Sequence, residues 1–258
     1  MSEAVSTPAG RVAALARAEL TLFGRSKGMI VSAMFLPLVL PFSARAFVED
    51  MDLKDSGFSV GLVLLSGAIG FSLLFAVYLA LIGVLVGRRE ELVLKRLRTG
   101  ELRDTEILAG AALPATATSV LQSLLLAAGC TALLDVPAPK APHLAVLGLL
   151  LGLVICATLA AVTASFTRTV ESAQVTGMPL MLVTMVGSGI AVPLELLPDR
   201  LASVCELLPL SPVITLIRGG WTGDLSAYEA VGPVMTALAW AALGVFAVRR
   251  WFRWEPRH

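Results

Sequence analysis

Six long apolar runs constrain this chain more than any other feature. Among its 258 residues, stretches free or nearly free of charge occupy residues 28–47, 60–87, 107–134, 144–167, 172–194 and 230–248. A helix crossing the ~30 Å hydrocarbon core of a bilayer needs about 20 mostly apolar residues, and each run reaches or approaches that length. A transmembrane barrel would show alternating segments of about 10 residues, and these runs do not alternate. The sequence therefore predicts an all-α integral membrane protein with six transmembrane helices.

The composition excludes several other classes of protein. Charged residues make up only 15% of the chain and mean hydropathy is +0.84, whereas a soluble domain carries roughly 25% charged residues. A net charge of +1 gives no basic field for nucleic acid, so we expect no nucleic-acid partner. The three cysteines are widely spaced and there are only two histidines, so neither a disulfide framework nor a metal site is expected.

Lysine and arginine in the connections predict the orientation in the membrane. Fifteen of the 20 lie before residue 28, in the loop 88–106, at Arg168 or after residue 248, and five lie on the other side. Because basic residues accumulate in cytoplasmic connections, both termini are expected in the cytoplasm.

Residues 1–27 form the cytoplasmic segment before the six-span domain, 28–258. Ala13, Ala16, Leu20 and Phe23 share one helical face, which predicts an amphipathic helix lying along the inner leaflet. A plain basic anchor obeying the positive-inside rule is the alternative.

The loop 88–106 is the long cytoplasmic connection. Glu91 and Lys95 form a favourably ordered i, i+4 pair, residues 88–98 contain no helix breaker, and Gly100 stands where a helix would stop. We therefore expect a short charged helix that continues the second span into the cytosol. On composition, a solvated turn against anionic lipid and a docking element for a soluble partner are equally supported.

The connection between the fifth and sixth spans is neither a polar loop nor a full span. Its apolar stretch is interrupted by Pro198, Pro209 and Pro212, which favours an extracellular re-entrant helical hairpin over residues 195–220. A folded surface loop is the alternative, although many leucines would then face water.

The sequence lacks the common nucleotide-binding and hydrolase motifs. It contains no Gly-x4-Gly-Lys-Ser/Thr phosphate loop, no Gly-x-Ser-x-Gly elbow and no His-Glu-x-x-His helix. Glu90 and Glu91 resemble the paired glutamates of intramembrane prenyl-protein proteases, but they lie in a charged loop without histidine partners, which disfavours catalysis. The spans carry no Asp, Glu, Lys or Arg at mid-membrane, so ion-coupled transport has no visible groups and energy must come from elsewhere.

Neutral polar side chains and methionines are the candidates for a translocation path. One stripe on the fifth span and polar residues on the second and third supply them: Gln174, Met178, Met181, Met185, Ser72 and Gln122. Helix packing and interhelical hydrogen bonds are the alternative roles of these residues. Gly148-x3-Gly152 and Gly83-x3-Gly87 would permit close helix approach.

With this architecture, the chain resembles the membrane subunit of type-2 ATP-binding-cassette (ABC) transporters, the type V exporters of bacterial drug and antibiotic export. Three stretches carry the resemblance: Glu90-x3-Leu94-Lys-Arg-Leu97-Arg98 with Leu102 and Ile107-Leu-Ala-Gly110; Ala191-Val-Pro193, Leu197-Pro198, Leu208-Pro209 and Arg218; and Arg17-x-Glu19-Leu20 with Arg25 and Pro37. Leu92 stands where the family usually has glycine, and Glu101 where proline is common.

The resemblance implies a docking role for the loop. It assigns polar contacts with an ABC ATPase subunit to one set of loop residues and packing to Leu94 and Leu97; the polar set is Glu90, Glu91, Lys95, Arg96 and Arg98. Arg17, Glu19 and Arg25 would form a second contact through the connecting helix. Pro193, Pro198, Pro209 and Arg218 would belong to the re-entrant hairpin.

The resemblance also implies the assembly and its task. Two permeases, identical or related, would bind two ATPase subunits that hold ATP and Mg, so this chain itself needs no cofactor and is not an enzyme. The complex would lie in the bacterial inner membrane and export an amphipathic or hydrophobic small molecule, such as an antibiotic, drug or lipid-like compound. The rival hypothesis is a non-transporting immunity or sensor protein that recruits a cytosolic partner.

Overall fold

The computed structural model of the chain describes residues 59–100 and 102–255, together with the single positions Val39, Ser43, Ala46 and Val48. All regular secondary structure in these residues is helical. The predicted connecting helix with Arg17, Glu19 and Arg25, and the first predicted span at 28–47 apart from three of those positions, lie outside the described residues.

Eight helices and a 3-10 turn follow one another in the described residues. They are α1 Val60–Glu90, α2 Val93–Arg98, α3 Asp104–Leu133, α4 Pro142–Phe166, α5 Val170–Gly187, the 3-10 turn Leu194–Leu196, α6 Asp199–Cys205, α7 Ser211–Thr222 and α8 Ala227–Trp251. Four of them, α1, α3, α4 and α8, are long and apolar enough to cross a membrane. These four match the predicted second, third, fourth and sixth spans.

The helix in the fifth apolar run is shorter than the sequence predicts. The run extends over 172–194, but α5 has 18 residues and ends at Gly187. Its start is fixed by Thr169, whose hydroxyl accepts a hydrogen bond from the backbone N–H of Ser172 at 3.3 Å. The helix stops because the chain turns at Gly189, which has φ +71°. At 1.5 Å per residue α5 is about 27 Å long, slightly under the thickness of a hydrocarbon core.

The central element is α1, which packs against α3, α4, α5 and α7. Most of its apolar stretch is buried, whereas that of α8 is mostly exposed. Residues Leu73–Leu79 within α1 form a π-helix. Such wide turns interrupt the regular hydrogen-bond ladder and recur at functional sites. The buried helix α1 therefore has an irregular middle between two regular ends.

Two short helices occupy the predicted hairpin region. The sequence predicts a re-entrant helical hairpin over residues 195–220, and the structure has α6 and α7 in this region. The last residue of α7 is Thr222, and Gly223, with φ +72°, caps it. Nearly all of α7 is buried, because it packs on α4 and α8 and also contacts α1. The predicted hairpin region is thus packed into the bundle through α7.

Close backbone approach at glycine fixes how α7 packs on α4. A Cβ added at Gly220 would lie 2.6 Å from the backbone nitrogen of Ala145. On α4, a Cβ at Gly148 would lie 3.1 Å from the backbone oxygen of Val213, so Gly148-x3-Gly152 faces α7 as a close-approach motif. Gly83, by contrast, has nothing within 4 Å of the equivalent position.

We predict that Gly220→Ala destabilises the protein while Gly83→Ala does not. The first change forces two helix backbones apart and should cost about 1–3 kcal/mol. The second meets open space and should gain up to about 1 kcal/mol, because alanine is the better helix former. The melting temperature of each purified variant in detergent checks this pair. A shift of both in the same direction would contradict the packing described here.

Candidate functional site

The charged loop contains a separate helix and not an extension of α1. The expectation of a helix running unbroken through residues 88–98 is wrong, because α1 ends at Glu90 and α2 begins at Val93. Between them Leu92 adopts φ +60°, a left-handed conformation that side chains disfavour. This is the position at which the resemblance leads one to expect glycine. The break lets α2 change direction relative to α1.

Arg89 ties the end of α1 to the end of α4. Its side chain is only 2% exposed, and its guanidinium donates to the backbone oxygen of Ala164 at 2.8 Å and to that of Thr167. The last carbonyls of a helix have no hydrogen-bond partner within the helix and carry partial negative charge. The Arg89 guanidinium supplies both the missing donors and a compensating positive charge. The base of the loop is therefore anchored to the bundle immediately before Leu92.

The loop residues implicated in docking divide into exposed and buried sets. The polar ones are exposed: Glu90, Glu91, Lys95, Arg96 and Arg98. Leu94 is fully buried within this chain, and Leu97 is half-buried. Leu94 thus attaches α2 to its own bundle, and the charged side chains form the accessible surface of the loop.

Two of the exposed cations have partners in the same chain. Lys95 Nζ lies 2.9 Å from Glu255 Oε1, beyond the end of α8. Arg98 Nε lies 3.1 Å from Asp104 Oδ1 at the start of α3, and the guanidinium carbon lies 5.0 Å from the ring centroid of Trp254. The loop therefore contacts both α3 and the segment 252–255.

The start of α3 is capped by a carboxylate from its own first turn. Glu106 Oε2 accepts a hydrogen bond from the backbone N–H of Arg103 at 2.8 Å. A carboxylate here also offsets the partial positive charge of the helix N-terminus. The chain thus leaves the loop through a well-defined helix start.

The polar residues proposed for a path on the second and third spans are brought together. Ser72 Oγ donates to Gln122 Oε1 at 2.5 Å and lies 3.1 Å from Ser119 Oγ. All three side chains are fully buried between α1 and α3. In this conformation they link two helices.

The stripe on α5 divides between two environments. Gln174 and Met178 are exposed, Met181 is buried, and Met185 is half-buried against the core. The outward side of α5 also carries Val175 and Val183, both largely exposed. One part of the predicted stripe therefore packs inside the bundle, and the other faces the surroundings with a row of apolar neighbours.

Tyr78 connects the π-helical segment of α1 to both neighbouring helices. Its hydroxyl lies 3.1 Å from Thr163 Oγ1 on α4 and donates to the backbone oxygen of Gly177 on α5 at 3.3 Å. Because the tyrosine is almost completely buried, these partners satisfy a hydroxyl that would otherwise be costly to bury. Sequence analysis did not identify Tyr78, and a single buried tyrosine gives no periodic signal.

Arg218 holds the hairpin region to the opposite end of α1. Its side chain is 4% exposed, and Nε donates to Ser66 Oγ on α1 at 2.9 Å while Nη2 donates to the backbone oxygen of Gly189 at 2.6 Å. Glu195 supplies a carboxylate oxygen 3.6 Å from Nη1. This buried cation is therefore paired and hydrogen-bonded, as burial requires.

The three prolines assigned to the hairpin stand at its breaks. Pro193 precedes the 3-10 turn, Pro198 precedes α6, and Pro209 lies between α6 and α7. Proline lacks a backbone N–H and so is favoured at the starts and ends of short helices, where that group would have no partner within the helix.

Residues 59–100 and 102–255 contain no cluster of His, Cys, Asp and Glu able to hold a metal ion.

Comparison with known families identifies the chain. The profile of the ABC-2 type transporter family matches residues 11–221, which is most of the sequence. The chain belongs to the ABC-2 type transporter family. No curated protein matches it at a significant level. Membership makes the chain a membrane permease of an ABC transporter, and permeases of this family are generally non-catalytic and work with an ABC ATPase. The matched region includes α1 to α6 and all but the last residue of α7, and therefore both the charged loop and the predicted hairpin region.

We predict that Arg89→Met destabilises the protein, because the carbonyls of Ala164 and Thr167 lose a charged donor. The expected loss is about 2–3 kcal/mol. Arg96→Met is the matched control, since Arg96 is exposed, and it should stay within about 0.5 kcal/mol of the parent. Thermal unfolding of both purified variants provides the measurement. Equal melting temperatures for the two would contradict an anchoring role for Arg89.

Proposed function

We propose that this ABC-2 permease couples to a separate ATPase through the exposed face of its charged loop and exports an amphipathic or hydrophobic small molecule. The observation that carries the proposal is the placement of Glu90, Glu91 and Arg96. They are exposed on a loop whose base is fixed by Arg89 and whose short helix is fixed by buried Leu94. A charged surface held on a rigid base can receive a force and pass it on.

A separate subunit must supply the energy in this proposal. The sequence has no phosphate-binding loop, so ATP and Mg would be held by the ATPase. Closure of two ATPases on ATP would press on α2 in each permease. Because α2 adjoins the anchored end of α1, the push would reach the interior of the bundle through that helix.

A second permease, identical or related, would complete the transport path. The outward side of α5 supports this role, because Val175, Met178 and Val183 are exposed there beside Gln174. Methionine adapts its shape to varied apolar ligands, which suits an amphipathic substrate such as an antibiotic, a drug or a lipid-like compound. Rearrangement of α1 and α5 would move the substrate outward.

The proposed membrane arrangement has six crossings. Residues 28–47 and the run that contains α5 would cross in addition to α1, α3, α4 and α8. The region of α6 and α7 would enter the outer leaflet and return, which its prolines and its buried apolar helix favour. By the distribution of lysine and arginine, the charged loop and both termini would face the cytoplasm of a bacterial cell.

We predict that Arg96→Glu lowers permease-dependent ATPase activity by about tenfold in the complex reconstituted into proteoliposomes. The reversed charge would oppose its partner on the ATPase, and removing such a contact commonly costs an interface a few kcal/mol. Arg200→Glu is the control, because Arg200 is an exposed arginine on α6 in the hairpin region. It should leave the activity unchanged.

Transport assays with vesicles that contain the same complex test whether the substrate is exported, and they also test the rival hypothesis of a non-transporting protein. Accumulation of a hydrophobic fluorescent drug in inside-out vesicles on adding ATP is expected from the parent and lost in Arg96→Glu. Normal ATPase stimulation by Arg96→Glu would contradict docking through this face. Binding of the ATPase without any ATP-dependent transport would favour a recruiting immunity or sensor protein.

A further inference from the structure

The segment 252–255, which follows α8, lies against the charged loop of residues 88–106. Glu255 pairs with Lys95 at 2.9 Å, and the Trp254 ring lies beneath the Arg98 guanidinium at 5.0 Å. Lys95 and Arg98 are three residues apart on α2 and so occupy neighbouring positions on the same side of that helix. Two different kinds of interaction from one short segment therefore converge on one side of α2.

The helix α2 depends on contacts outside itself. It has six residues, and isolated helices shorter than about 12 residues are marginal in water. Leu94 is its one buried side chain, and it follows Leu92, whose left-handed backbone ends the continuity with α1. A single buried leucine attaches the helix to the bundle but does not by itself set the direction of its exposed side. Contacts to its exposed side can therefore fix its direction.

The segment 252–255 is itself fixed to the bundle. Phe252 is partly buried against the main core, and its backbone N–H donates to the oxygen of Val248 at 2.9 Å. Its ring meets that of Trp254 edge-on, with centroids 5.0 Å apart. Trp254 thus packs on Phe252, which in turn contacts the main core. The Arg98 guanidinium, which lies over the Trp254 ring, is therefore connected to the bundle through the Trp254 and Phe252 rings.

Arg98 also reaches a third element, the first residue of α3. Its Nε pairs with Asp104 at 3.1 Å while the same guanidinium stacks over Trp254. One side chain therefore joins α2, α3 and the segment after α8. Arg98 thus links the loop helix to the start of α3 and to the segment that follows α8.

We propose that residues 252–255 form a strut that positions α2 for the ATPase, and that Lys95 and Arg98 are positioning residues of the strut. This inference rests on the proposed function, and it changes which residues meet the partner. Arg96 lies about 200° around the helix from buried Leu94, so it points away from the bundle. Glu90, Glu91 and Arg96 form the docking contact, and Lys95 and Arg98 hold that face in place.

A charge exchange distinguishes a strut from direct docking. We measure permease-dependent ATPase activity of the full-length complex in proteoliposomes for Lys95→Glu, for Glu255→Lys and for the two combined. Each single change sets like charges against each other and should lower the activity about three- to tenfold. The double variant restores the pair with reversed polarity and should return to within twofold of the parent.

The matched control combines Glu255→Lys with Arg96→Glu. Because Arg96 faces the partner and not the strut, this combination should show no recovery over Arg96→Glu alone. Lys95, Arg96 and Glu255, the three positions changed here, are all exposed, so each variant should elute from size exclusion as the parent does. Failure of the Lys95 and Glu255 exchange to restore activity would overturn the strut and return Lys95 to the docking contact.

A second measurement tests the strut without any ATPase. Hydrogen exchange in the chain alone reports α2 through the backbone N–H groups of Arg96 and Thr99, which donate to Leu92 and Lys95. Trp254→Ala should speed their exchange about fivefold, while Trp251→Ala, at the last residue of α8, should not. Unchanged exchange in Trp254→Ala would overturn the strut. If the parent binds no ATPase but the exchange result holds, the proposed function fails and the strut stands.

Discussion

Two buried arginines hold the helix on which the whole bundle is assembled. Arg89 binds the carbonyl end of α4 at the end of the bundle that carries the charged loop, and Arg218 binds Ser66 and the Gly189 carbonyl at the other end. A buried guanidinium is tolerated only where its donors are used, so each arginine fixes the relative position of the elements it joins. The helix α1 is consequently bound at one end to the base of the loop and at the other to the hairpin region. Motion of the base of the loop at Arg89 must therefore either move α1 or break one of these contacts.

The middle of α1 is where such a motion could be absorbed. Residues Leu73–Leu79 form a π-helix, and Tyr78 within it bonds to Thr163 on α4 and to Gly177 on α5. Ser72, at the edge of this segment, bonds to Gln122 on α3. These polar contacts join α1 to three helices within one turn or two of each other. Polar contacts between helices are individually modest in a membrane, so a set of this kind can hold one arrangement and still exchange for another. That combination suits a permease, which must alternate between conformations.

The amino-acid sequence predicts the helices well and their connections less well. Apolar length located four helices that are long and apolar enough to cross a membrane, since hydrophobic runs of that size have few other solutions. The proline-broken run indicated the short helices α6 and α7. The break at Leu92 could not be predicted, because leucine does not favour a left-handed backbone and the neighbouring residues contain no turn or helix-stop signal. The end of α5 at Gly187 was missed because apolar residues continue beyond it. The burial of Arg89 next to half-buried Arg88 was also invisible, since adjacent arginines look alike until the end of α4 is placed beside one of them. Contacts between distant segments, such as Lys95 with Glu255, are settled by the fold and not by local spacing.

The central claim is that the exposed face of the charged loop receives the ATPase. Site-specific photo-crosslinking in membranes of the native host tests it most directly, with a photoreactive residue replacing Arg96 in one strain and exposed His143, at the start of α4, in another. Mass spectrometry then identifies what each position captures. The account predicts an ATPase with a phosphate-binding loop crosslinked at position 96 and absent at position 143. Capture of no ATPase at position 96, or equal capture at both positions, would contradict it.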